Sequence, residues 1–169
     1  IRADGNYPFT LENGKYITQE KRNNSDIHTW QGEANLFHTF HDESTLDVKA
    51  YYFYSERGLP GAVILYNPKA EERLWDENFF TQARYKKTFS PKWTLQAQAK
   101  FNHSWNKYED TDVKYENGKQ TDINRQDEYY LSAAVLYQPV KGLELSLAQD
   151  GFINTLHTNI NDSPNTVRY

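Results

Sequence analysis

The stretch Thr29–Tyr54, TWQGEANLFHTFHDESTLDVKAYYFY, decides how this chain is read. From Trp30 to Phe40 every second residue is apolar, small or His, and the same alternation returns from Leu46 to Tyr54. The opposite phase carries Gln31, Glu33 and Asn35, then Asp47 and Lys49. A period of two marks a strand with one greasy face. His41-Asp42-Glu43-Ser44, between the two runs, is a short polar turn. The stretch therefore predicts an antiparallel hairpin, and its apolar face must meet either a protein core or lipid.

The pattern repeats along the chain. Strands are expected over about 28–40, 45–57, 78–89, 93–107, 128–138 and 143–154, wherever alternation persists. Ser90-Pro91-Lys92 and Pro139-Val140-Lys141-Gly142 supply two further short turns. Between hairpins lie connections of about 20 residues, 58–77 and 108–127, and polar flanks occupy 1–27 and 155–169. Asn117-Gly118 is a hairpin-turn signal within the second connection, and Asn13-Gly14 suggests a small hairpin in the first flank. Short turns at one end of the sheet and long loops at the other are the layout of outer-membrane barrels. The expected fold class is all-β: antiparallel hairpins of about six long strands from a transmembrane β-barrel, with 1–169 as one partial barrel segment.

Composition narrows the choices. The chain has 169 residues and a net charge of −4, with no basic surplus, so nucleic acid is excluded as an expected partner. No run approaches the roughly 18 apolar residues of a membrane helix, which does not bear on a barrel. Aromatic residues make up 15% of the chain, a bias that favours sheet. Cysteine is absent, so disulfides and thiolate metal sites are excluded. Methionine is absent too, and a chain opening on Ile1 is expected to be excised from a longer polypeptide.

The apolar phase favours lipid over a core. Aromatics close its ends: Trp30 and Phe40, Phe79 and Phe89, Trp93 and Trp105, Tyr129 and Tyr137. Small or aliphatic residues lie between, among them Ala34, Ala83, Ala97 and Ala133. Ten strand residues tilted by about 40° cover roughly 25 Å, the height of the apolar band on such barrels. Amphipathic rings suit both interfaces of that band. Pairing Phe40 with Leu46, Phe89 with Trp93 and Tyr137 with Leu143 would keep all apolar positions on one face. Lys87 would snorkel to headgroups at the turn end. The lumen would be lined by Glu33, Asp47, Lys49, Arg84, Lys86, Lys100, Glu144 and Asp150. The competing expectation is a soluble all-β module binding a ligand or glycan, its apolar phase turned inward.

YYFYSERGLPGAVILYNP (51–68) followed by ERLWDENFFTQARY (72–85) resembles the middle barrel region of TonB-dependent outer-membrane receptors, particularly those of Bacteroidetes. NSDIHTWQGEANLF (24–37) and QDEYYLSAAVLYQPVKGLELSLAQD (126–150) fit the same strand pattern. The resemblance covers most of the chain and rests on that pattern and on Arg57-Gly58-Leu59-Pro60-Gly61. It implies a place in the outer membrane of a Gram-negative bacterium and contact with lipid. It also implies a plug domain that this segment lacks, TonB acting through the full-length protein, and import of a scarce small ligand such as a ferric siderophore or cobalamin.

No catalytic signature accompanies these features. GxSxG, the P-loop and any nucleophile–base pattern are missing, so no enzyme and no cofactor are expected. His38 and His41 straddle a strand end, while His28, His103 and His157 are scattered, and no metal site is expected. Glu109, Asp110 and Asp112 lack the Gly and terminal Glu of a calcium loop. Gly58-Leu59-Pro60-Gly61 reads as a type II turn. The candidate ligand contacts are loop aromatics and cations: Tyr66, Arg73, Trp75, Tyr108, Tyr115 and Arg125.

Overall fold

Every segment expected to be a strand is one. The computed structural model describes residues 1–63, 67–111 and 115–160, and the backbone alone at 13 and 166–168. Its strands in chain order are β1 (Arg2–Ala3), β2 (Pro8–Asn13), β3 (Tyr16–Lys21), β4 (Ile27–Thr39), β5 (Thr45–Gly58), β6 (Arg73–Ser90), β7 (Trp93–Asp110), β8 (Gln120–Val140), β9 (Leu143–Thr158) and β10 (Thr166–Arg168). The six long ones, β4 to β9, pair antiparallel with their chain neighbours in one sheet, and β1 and β10 extend it at the edges. β2 and β3 form the separate small hairpin announced by Asn13-Gly14. Among the described residues the sheet's two edges do not meet.

The long connections are shorter than expected, spanning 59–72 and 111–119, because β6 and β8 start well before their apolar alternation does. Polar cross-strand bonds carry the ladder onward there. Arg57 donates to Asp76 (3.0 Å), Asn106 to Asp76 (2.9 Å), Asn124 to Asn106 (3.3 Å) and Thr158 to Asn124 (2.7 Å). Asp76, Asn106, Asn124 and Thr158 occupy one row across four strands, and Arg57 reaches it diagonally from β5. β6 has 18 residues and β8 has 21, against apolar alternations of about 12 and 11, so each runs on past its alternation at the loop end.

Registers follow the expected faces but not the expected pairs. His38, not Phe40, faces Leu46, and Leu145, not Leu143, faces Tyr137. Between β6 and β7, Lys87 pairs Leu95 as the expected register demands. A bulge then displaces Phe89 and sets Ser90 against Trp93. Slips of two residues leave every side chain on its face, so the pleat tolerates them.

At the loop end the segment 22–26 clasps the connection 59–72. Arg22, which is buried, donates to the Gly61 carbonyl. Asn23 reaches the Pro68 carbonyl at 2.7 Å, and Asn24 reaches those of Glu72 (2.7 Å) and Leu59 (3.2 Å). Gly61 takes the positive φ (68°) its turn role requires, but the Leu59 amide bonds Glu72 across the connection rather than closing a local turn.

Candidate functional site

Following the ladder across the sheet places one continuous apolar face on it. A mid-height row runs Leu36, Val48, Ala83, Ala99, Leu131, Gly151, and the next row toward the turns runs His38, Leu46, Tyr85, Ala97, Ala133, Gln149. This face is bare. Trp30 is 51% exposed, Trp93 44%, Leu131 63% and Leu147 78%. Among the described residues Ala70 is the only buried hydrophobic one. The chain exposes 12337 Å² in all, whereas a folded water-soluble monomer of its mass exposes about 8,700 Å².

The aromatics form two bands on this face. Trp30 packs on Tyr52 (centroids 4.7 Å apart), Phe79 on Phe101 (6.3 Å) and Phe101 on Tyr129 (5.0 Å) at the loop end. Trp93 stacks on Tyr137 (4.1 Å) and Phe40 meets His38 (4.5 Å) at the turn end, where Phe89 sits under the Lys87 ammonium (5.3 Å). The loop-end band is oblique. From Trp30 the ladder runs level through Tyr54, Glu77 and Trp105 to Arg125, yet the aromatic on β8 is Tyr129, four residues nearer the turns. Four residues rise about 13 Å, and four inter-strand steps span about 19 Å, so the band departs by about 35° from the perpendicular to the strands. Phe79, on the middle strand, lies on that line, and Trp105 stands above it. At the turn end the drop has the same sense and half the size: His38 is level with Ala133, and Tyr137 lies two residues beyond Phe40's level. Barrel strands tilt by about 35–45°, which makes a band with the slant of the loop-end one level with a membrane plane, whereas the turn-end band slants by only about half as much.

The expected ligand contacts fare differently. Arg73, Trp75, Tyr108 and Arg125 are not on loops but on the strand extensions above the belt. Arg73 is committed internally, donating to both Asp26 oxygens (3.2 and 2.9 Å) and to Glu56 (2.9 Å). That bond holds the Asp26 carboxyl below its ordinary pKa range. Trp75 lies between two cations, with the Lys107 ammonium 4.4 Å and the Arg73 guanidinium 5.9 Å from its ring. Burial, then the charge of Glu72, pushes the Tyr108 phenol up to about 12. Tyr115 donates to Asp110 (2.9 Å). Arg125 lies above the belt on the apolar side, its Nε 3.5 Å from Asp127. Tyr66 lies outside the described residues. Arg73, Trp75 and Arg125 share the face of the belt, while Tyr108 takes the other, so these four do not converge.

Two features escape a strand-by-strand reading. His103 Nδ1 lies 2.6 Å from an oxygen of the nearly buried Asp127, directly opposite it on β8. Lys87 does not reach outward: it bonds Asp42 in the neighbouring turn (2.7 Å), and with Ser44 this holds the Asp42 carboxyl well below the usual range. Among the described residues no three His, Cys, Asp or Glu gather as metal ligands. No protein-family model matches the chain, and no curated protein matches it.

Proposed function

We propose that the chain is a wall segment of an outer-membrane β-barrel transporter of the TonB-dependent kind, working without catalytic residues. In this reading the apolar face meets lipid, the polar face lines the lumen with any plug domain inside it, and the loop end faces outward to admit a scarce small ligand. The observation that carries the reading is the oblique pair of aromatic bands enclosing a bare belt made mostly of small and aliphatic side chains, with Tyr85 and Gln149 among them. The opposite face, crossed by hydrogen-bonded rows of Asn, Asp and Ser, supports a wet lumen. The bareness of Trp30 and Trp93 counts against a soluble monomer with an inward apolar phase. Transport, TonB and the nature of the ligand rest on the sequence resemblance alone.

Brominated lipids test the membrane assignment. The full chain is reconstituted in vesicles as single-tryptophan variants retaining Trp30, Trp75, Trp93 or Trp105. Trp30 and Trp93 should be quenched most by bromines high on the acyl chain, and Trp75 least by any. A monomer that stays in aqueous buffer with its tryptophans untouched by brominated lipid would overturn the reading.

A further inference from the structure

Aromatic rings also stand on the polar face, among them Phe37, Tyr51, Phe80 and Tyr130. Phe37 on β4, 74% exposed, and Tyr130 on β8 flank a groove of about 350 Å³ whose floor is Gln82, Arg84, Gln98 and Lys100. Gln82 pairs with Lys100 across β6 and β7, and Arg84 with Gln98, so the four form a square. Their neighbours are occupied. Arg84 binds Asp47 (2.6 Å), Lys49 binds Glu33 (2.9 Å) and the Tyr130 hydroxyl binds Asp150 (2.9 Å). Gln82, Gln98 and Lys100 have no such partner among the described residues, and Lys100 has only the Phe80 ring, 5.6 Å from its ammonium.

We propose that this groove binds an acidic saccharide, with the carboxylate on Lys100, hydroxyls on the amides of Gln82 and Gln98, and sugar faces against Phe37 and Tyr130. Each amide offers both donors and an acceptor, as a hydroxyl needs. The rings offer flat apolar area to the carbon-bound hydrogens of a pyranose. One uncompensated cation selects a single acid rather than a phosphate track. The groove lies mid-sheet, where no strand edge is open, so an extended peptide cannot add there by backbone pairing. The assignment needs only a wet polar face and stands whether the other face meets lipid or protein.

Tetragalacturonate and its neutral methyl ester, titrated calorimetrically into the full chain in detergent micelles, test it. The acid should bind saturably, and Lys100→Gln should weaken it by about ten-fold or more while leaving the ester within about two-fold. Phe37→Ala should weaken both. All of these side chains are exposed, and an unchanged far-ultraviolet dichroism spectrum checks that the sheet survives. Absence of saturable binding, or binding that neither substitution alters, would overturn the assignment without touching the membrane reading.

Discussion

Two adjacent alanines on β8 offer the sharpest test of which face meets lipid. Ala133 lies on the apolar face, opposite Ala97 and Gln149, four residues from Tyr129 and four from Tyr137. Four residues rise about 13 Å along the strand, or about 10 Å of depth at a tilt of 40°, so Ala133 sits near the middle of the belt. An arginine on the lipid face at mid-depth costs about 2–4 kcal/mol, roughly a 30- to 700-fold fall in the folding equilibrium. Ala134, the next residue, faces Gln96 and Ala148 on the polar side. Arginine there should shift stability by no more than about 0.5 kcal/mol. Guanidinium titration of the full chain in lipid vesicles, followed by tryptophan emission, measures both. Ala133→Arg should be severely destabilised and Ala134→Arg close to the parent, while Tyr137→Arg, near the interface, should lose only about 0–1 kcal/mol of lipid-transfer energy. Equal losses at Ala133 and Ala134, or the larger loss at Ala134, would refute the assignment of faces.

Three further outcomes follow from the loop end. A Cβ on Gly58 would stand 2.4 Å from the Asn24 carbonyl oxygen, so Gly58→Ala should displace the clasp at about 1–3 kcal/mol, seen as faster proteolysis within 59–72. Asn106→Leu strips partners from Asp76 and Asn124 and should cost about 1–3 kcal/mol, with amide exchange accelerating in Arg73–Glu77 before it does in the belt. Asp26 is held below its usual pKa by Arg73, so its unfolded form takes up protons first as the pH falls. The pair's contribution is therefore complete above about pH 4 and disappears as the pH drops through the depressed value. With both groups open to solvent it amounts to less than about 1 kcal/mol, and Asp26→Asn should flatten that acid limb in thermal melts.

Alternation made the belt legible and stopped where the belt stops. Phe79 and Tyr129 were readable as strand residues because the neighbours two positions away on the turn side are also apolar or small. Asp76, Asn106 and Asn124 belong to the same ladder, but the apolar alternation does not reach them and polar side chains hold their pairing, so their stretch reads as loop. The loop assignment of Arg73, Trp75, Tyr108 and Arg125 failed for that reason. The pair His103–Asp127 was hidden because its members are 24 residues apart and meet only through register. Register is what patterning specifies least: a slip of two residues, as between Phe40 and His38 opposite Leu46, preserves both faces. The clasp from Arg22 to Asn24 was unreadable because it works through backbone carbonyls of a distant segment, which have no residue signature.

Because β6, β7 and β8 continue past the apolar belt as a cross-bonded palisade, the loop end of the sheet is braced strand to strand. A molecule arriving there would meet a backbone already frozen into shape, and little chain entropy would be lost on docking. In the proposed transporter, selectivity at that mouth would be written in side chains upon a fixed frame, so exchanging a few of them should retune what is admitted without refolding the wall.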